Sequence, residues 1–177
     1  MNPSADIGIW RAAGPDLTVH YSIRHQVFVL EQRVMRLTDI DLRDIEPSTI
    51  HVLAARGAQA AGTVRVYPLE NGLWQGDRLA VLPSHRSSLI GAELVRFAVA
   101  TAAANGGGWM RAQIQLPNVR FFERLGWVRS GDPEPYCGFD HQPMLFDLAQ
   151  ALVPQHLGRP HQVLLESPLE MPGLRAG

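Results

Sequence analysis

From Asp77 to Leu94 the chain reads as an apolar strand, a short basic and hydroxyl-rich turn, and a helix start carrying Gly91. This stretch constrains the fold most, because it sets a helix N-terminus directly after the C-terminal end of a strand. A helix start leaves its first N–H groups without intrahelical partners, at the positive end of the dipole. Such a terminus holds phosphate when the surrounding side chains are small. Arg86, Ser87, Ser88 and Gly91 supply a cation, two hydroxyls and bare backbone, which suits a pyrophosphate. An ordinary strand–loop–helix connection has the same outline. Neither the P-loop pattern nor the G-x-G-x-x-G fingerprint occurs, so those phosphate-binding turns are excluded.

The chain has 177 residues, 46% of them hydrophobic, enough for one well-buried core and short for two. A net charge of −1 leaves no footprint for nucleic acid. The N-terminal residues Met1–Asp6 lack a charged start followed by an apolar core, so no export signal is expected. No apolar run is long enough to span a membrane. Cys137 is the single cysteine, which excludes an internal disulfide and fits the reducing cytoplasm. The seven histidines show no zinc spacing. The acidic run Asp39-Ile40-Asp41-Leu42-Arg43-Asp44 lacks the glycine and the terminal glutamate of a calcium loop, so no metal is expected.

Periodicity predicts a strand at residues 7–10 and an amphipathic helix to about Leu30 on Leu17, Tyr21, Arg24, Val27 and Phe28. Residues 31–48 are polar and acidic and read as a long loop or a loop with a short helix. Strands follow at 50–56 and 63–69, joined across Gly57–Gly62, and at 73–82. A helix over 88–104 carries Ile90, Leu94, Phe97, Ala98 and Thr101 on one face and ends at Asn105-Gly106-Gly107-Gly108. A strand at 109–114, a short helix at 118–125, β structure at Trp127-Val128 and a last strand at 144–148 complete the pattern. The order β-α-β-β-β-α-β-α-β-β is mixed α/β, without uniform alternation. The expected division is a domain over 1–149 and a proline-containing tail over 150–177.

Arg86-Ser87-Ser88-Leu89-Ile90-Gly91, behind the Leu-Ala-Val-Leu-Pro strand, resembles the coenzyme A turn of the GNAT N-acetyltransferases, written Gln/Arg-x-x-Gly-x-Gly/Ala. Leu89 stands where the first glycine is usual. Asn118-Val119-Arg120-Phe121-Phe122-Glu123-Arg124-Leu125-Gly126-Trp127 is similar to the later motif of the same family. Arg24–Gln32, Asp39–Asp44, His51–Ala54 and Gly138–Met144 look like the ElaA-like branch, and within it the nitrogen-starvation acetyltransferases found with nitrilase-type gene clusters. The resemblance implies a central, mixed, mostly antiparallel sheet flanked by helices, with acetyl-CoA as co-substrate and a small primary amine as acceptor. It implies that Leu79, Val81 and Leu82 bind the pantetheine arm, with a freed N–H near Val81 polarising the thioester. Arg86, Ser87, Ser88, Leu89, Gly91 and Ala92 then hold the pyrophosphate, and Asn118, Phe121 and Phe122 flank the coenzyme.

Many relatives carry a tyrosine at the position of Phe122, where its hydroxyl protonates the departing thiolate; Phe122 cannot. A thiol pKa of about 8.5 lets the anion leave tolerably without help. Among Tyr136, Cys137 and His141, Tyr136 is the first candidate acid. Glu31 and His141 are the candidate bases, with His51 either an ordered neighbour or a satisfied core histidine. The acidic run 39–44 is expected to cap the acceptor pocket and attract a cationic amine. Two further readings stay open: a CoA-binding scaffold that lost catalysis, favoured by Leu89 and Phe122, and acyl-homoserine lactone synthesis. Exposed strand edges make a homodimer an additional expectation.

Overall fold

The computed structural model describes residues 6–152 and Gly158. In chain order it places β1 (Ile7–Arg11), α1 (Asp16–Arg24), β2 (Ile50–Arg56), β3 (Gln59–Pro68), β4 (Leu73–Val81) and α2 (Ile90–Ala104). β5 (Trp109–Gln115), α3 (Val119–Arg124), β6 (Val128–Arg129), β7 (Glu134–Tyr136) and β8 (Phe139–Asp147) follow. One sheet runs β1-β2-β3-β4-β5-β8-β6, with β7 also paired to β8. Every pairing is antiparallel except β4 with β5. A parallel neighbour requires a crossover, and α2 supplies it.

The two faces of the sheet bury separate cores. Under α2 lie Val52, Val64, Val66, Met110 and Met144, meeting Ile90, Leu94, Ala98 and Ala102 of the helix. Under α1 lie Trp10, Leu53 and Ala55, meeting Val19, Ile23 and Val27. The apolar side of α2 matches its four-residue spacing. On α1 the buried side is rotated from the predicted stripe: Val19, His20, Ile23 and Arg24 are buried, while Leu17 and Tyr21 are only half-buried. Arg24 and Val27 of the predicted stripe are buried, and His20 explains the shift, because a hydrophobic stripe does not register a polar residue outside it that turns inward.

Helix α1 continues into a π-helical turn over His25–Glu31, which widens the coil before the chain leaves it. The segment 31–48 is the second of the two expected forms, a mostly exposed loop with a short helix. It holds a short 3₁₀ turn, Leu42–Ile45, closed by a capping box between Asp41 and Asp44, and Asp39 and Asp44 are buried. Downstream of Gly126 the chain makes one strand more than predicted, and β8 starts five residues before the expected strand at Met144. The hairpin between β7 and β8 turns through Cys137 and Gly138, with φ of 50° and 81°. Two successive positive φ values make the turn that matches strand twist. The expected tail over 150–177 lies, beyond Leu152, outside the described residues. Gly158 alone is placed, and its N–H donates to the Ile9 carbonyl of β1 at 3.0 Å. Among the described residues no helix is long and apolar enough to cross a membrane.

Candidate functional site

β4 and β5 are paired only over Leu73–Gln75 and Trp109–Arg111, after which the two strands part. β4 carries a bulge just beyond the fork: Arg78 and Leu79 together face Val64 of β3, with Arg78 at φ 51°. The Thr63 hydroxyl donates to the Arg78 carbonyl there at 3.2 Å. Bulges bend and twist the strand that carries them, which re-aims β4 away from β5. A cavity of about 550 Å³ occupies the opening.

Val81 lies on the open edge. The Leu82 N–H donates to the Ala61 carbonyl at 2.9 Å, so Val81 and Gly62 are the neighbouring pair without mutual bonds. The peptide groups of Val81 therefore point away from β3. Its carbonyl accepts from Arg86 Nε at 2.9 Å. Arg86 also grips Glu31 with both terminal nitrogens, at 2.5 and 2.7 Å. That hydrogen bond holds the Glu31 carboxyl below its ordinary value.

Helix α2 starts beside this edge. Ser88 Oγ donates to the His85 carbonyl and weakly accepts from the Ile90 N–H at 3.4 Å. Leu89 is 49% exposed and turned outward. At Gly91 an added Cβ would meet Phe121 and Val81 at ordinary contact, 3.6 and 3.7 Å, so α3 and β4 both border the helix start. Ser87 is exposed, while Ala92 and Leu82 are half-buried. The turn can thus take an anion on backbone N–H groups, with Arg86 and Ser87 at its rim.

Of the residues singled out from sequence, Leu79, Asn118, Phe122, Tyr136 and His141 line the cavity. Glu31 does not. The π-helical turn carries it to Arg86, where it is a salt-bridge partner and a poor proton acceptor. His51 is a satisfied core histidine, 7% exposed, between His20 Nε2 at 3.3 Å and the Asp44 carbonyl at 3.2 Å. The acidic run does not attract an amine either, because arginines consume it. Arg24 binds Asp39 and Asp44 at 2.6 Å each, Arg65 binds Asp77 and Asp41 at 2.7 Å, and Arg78 reaches Asp41 at 3.1 Å. Among the described residues no cluster of His, Cys, Asp or Glu is placed to hold a metal ion.

β5 has two characters. Met110, Ala112 and Ile114 enter the core under α2 and border the cavity from that side, while Arg111, Gln113 and Gln115 line it from the other face. His141 lies opposite Gln115 and Glu134 opposite His141, on the same polar side. His141 is 5% exposed, and its Nδ1 lies 2.9 Å from the Phe139 carbonyl, so Nδ1 carries the proton and Nε2 the lone pair. The Tyr136 ring meets it edge-on, with centroids 5.2 Å apart. The roof is the segment after α1: Phe28, Gln32, Val34 and Met35 line the cavity, and Gln115 Nε2 donates to Gln32 Oε1 at 3.1 Å. The hydroxyl of Tyr67, buried behind Asp77, is pushed up to about 12 by burial and that carboxylate. Sequence reasoning missed Arg78, Arg111, Gln113 and Glu134. The two-residue alternation of 109–115 was the signal for the β5 pair; nothing local announces the others.

Comparison with known proteins gives three results. The model of an acetyltransferase (GNAT) domain matches residues 47–129. The N-acetyltransferase YjcF of Bacillus subtilis, itself uncharacterized, is 30% identical over 131 residues, 72% of this chain and 89% of that protein. Similar solved structures include an acyl-CoA N-acyltransferase from Pseudomonas aeruginosa (TM-score 0.69, 20% identity, 79% of this chain and 97% of that one). They also include Escherichia coli ElaA (0.70, 18%, 78% and 98%) and the CoA-dependent acyl-homoserine lactone synthase BjaI with SAM and isopentyl-CoA (0.67, 17%, 92% and 93%). At these identities the three structures speak for the fold alone.

Proposed function

The chain belongs to the GNAT acetyltransferase family, and from that premise we propose that it transfers acetyl from acetyl-CoA to the primary amine of a small molecule, by direct attack in a ternary complex. The observation that carries this reading is the fork between β4 and β5, which opens beside a helix N-terminus and holds a cavity lined by both polar and apolar side chains. The pantetheine arm adds to the open edge of β4 as an extended peptide would. The Val81 N–H, turned away from β3, faces the thioester carbonyl and holds its developing negative charge.

His141 Nε2 takes the amine proton. The amine nitrogen then bonds to the carbonyl carbon, the carbon–sulfur bond breaks, and sulfur leaves with the electron pair. Tyr136 gives a proton to that sulfur, and its phenolate takes the second proton that the nitrogen sheds as the amide forms. Phe122 holds the position without chemistry, packed at 6% exposure against Trp127. Leu89 is turned outward, so it does not close the turn to phosphate. The affinity to the ElaA-like branch rests on the Arg24–Ala54 segments quoted above.

The test is a Tyr136→Phe variant assayed for thiol release with acetyl-CoA. General acid help is worth about 10²–10⁴ in rate, so kcat should fall by about that factor while acetyl-CoA affinity stays put. An unaltered kcat removes Tyr136 as the acid. Binding of acetyl-CoA with no release to any amine favours the scaffold reading, for which the phenylalanine at 122 is the supporting observation.

A further inference from the structure

The cavity presents two opposite charges that this chain leaves open, and each is aimed by a glutamine. Asp77 is saturated by Arg65, and Arg78 lies against Asp39 and Asp41. Arg111 is different: its Nε donates to Gln75 Oε1 at 2.8 Å, and among the described residues no carboxylate meets its terminal nitrogens. Gln75 is buried, and its own amide nitrogen is tied to the Gly76 carbonyl at 3.1 Å, so the arginine is held in one direction. Glu134 mirrors it: among the described residues it accepts only from Gln113 Nε2, at 2.8 Å. That bond also fixes the Gln113 amide, because the flipped form would set oxygen against carboxylate. Gln113 Oε1 is then left buried with no donor. A buried acceptor without a partner is costly to leave unmet, so an N–H entering there gains more than it would in water.

Arg111 and Gln113 stand two residues apart on one face of β5, roughly 6.6 Å along the strand. His141, the proton acceptor of the proposed reaction, lies in register with Glu134. From this arrangement we infer that the acceptor is a zwitterion of the amino-acid class. Its carboxylate forks onto Arg111, and its amine is received between Glu134, Gln113 Oε1 and His141. The inference rests on the acetyl-transfer reading and adds the acceptor's chemical class to it. Planar guanidinium–carboxylate pairing gives orientation as well as attraction, which is what an amine needs to meet a thioester at a fixed angle.

The experiment uses the full chain with acetyl-CoA and three acceptor sets: α- and ω-amino acids, their carboxamides, and plain alkyl mono- and diamines. Acetyl-CoA affinity is measured separately by calorimetry. Amino acids should be turned over, and carboxamides should lose about 10- to 100-fold in kcat/KM, as expected for one charged hydrogen-bonded partner. Arg111→Ala should erase that preference through KM, leave acetyl-CoA affinity unchanged, and be partly rescued by Arg111→Lys. If alkyl amines or carboxamides equal the acids, or if Arg111→Ala keeps the preference, the zwitterion assignment falls and acetyl transfer stands. If nothing in the three sets is acetylated although acetyl-CoA binds, the assignment and the amine-transfer reading fall together.

Discussion

Arg24 is wholly buried, and the two carboxylates it grips are buried with it. Burial alone would raise the Asp44 carboxyl, but the hydrogen bonds from Arg24 and the Asp41 N–H hold it far below the usual range. Beside it His20 donates from Nδ1 to the Val52 carbonyl at 3.0 Å and is pushed down to about 3 by burial and by Arg24. The folded protein therefore keeps His20 neutral where the unfolded chain, near 6.5, takes up a proton. Stability present above pH 6.5 is lost as pH falls towards 3, at no more than about 1.4 kcal/mol per pH unit for each proton. Asp44 works in the same direction lower down: its contribution is present above about 3.9 and disappears as pH drops through that region. Thermal melts from pH 7 to 5 should show Tm falling, and His20→Asn should flatten the slope. A slope unchanged in the variant would place the titration elsewhere. The sequence could not announce this cluster. Arg24, Asp39, Asp44 and Arg65 are distant in the chain, and a charged residue reads as surface until its partner is known.

At the level of elements, β2, β4 and α2 were legible because apolar periodicity and turn residues agreed. The β6–β8 region was not: β7 is three exposed residues, paired only because Cys137 and Gly138 turn the chain back. β3 begins at Gln59, four residues before the expected strand at 63, so Gly62, expected in the turn, sits inside the strand and is tightly packed. A Cβ at Gly62 would lie 2.8 Å from the Ala80 carbonyl and 2.9 Å from Leu94, where backbone and a fully buried side chain have no room to yield. Gly62→Ala should cost about 1–3 kcal/mol in denaturant unfolding; a neutral result would mean that α2 can lift from the sheet. The start of α2 offers a second test. Arg86 must leave Glu31 to face a pyrophosphate, and both are part-exposed, so their bridge is worth about 0.2–1 kcal/mol. Glu31→Gln should tighten acetyl-CoA binding by up to about fivefold, while Arg86→Ala should weaken it. Equal affinities in both variants would remove Arg86 from the coenzyme site.

For the molecule as a whole, ligand and fold are linked. Acetyl-CoA at about 100 times its Kd should add roughly 2.7 kcal/mol, a Tm rise of about 5–11 °C for a chain of this size. A flat response at millimolar acetyl-CoA would contradict the coenzyme reading. At this scale the order of strands and helices showed a mixed α/β chain, and the family resemblance implied the central, mostly antiparallel sheet flanked by helices. The position of the fork was not readable, because the bulge at Arg78 is set by how β3 and β4 pair and leaves no mark in composition.

Cys137 occupies the first left-handed position of the β7–β8 hairpin tip, exposed at the lip of the cavity, and it is the chain's single thiol. Any dye that counts sulfhydryls will therefore register one equivalent per polypeptide before turnover begins. The same fact makes it an addressable point: a maleimide fluorophore will attach at one place, beside the region where acceptors arrive. Cys137→Asn silences that background with a residue that tolerates the left-handed backbone, and the Asn-Gly pair it makes is the turn chemistry such a hairpin prefers.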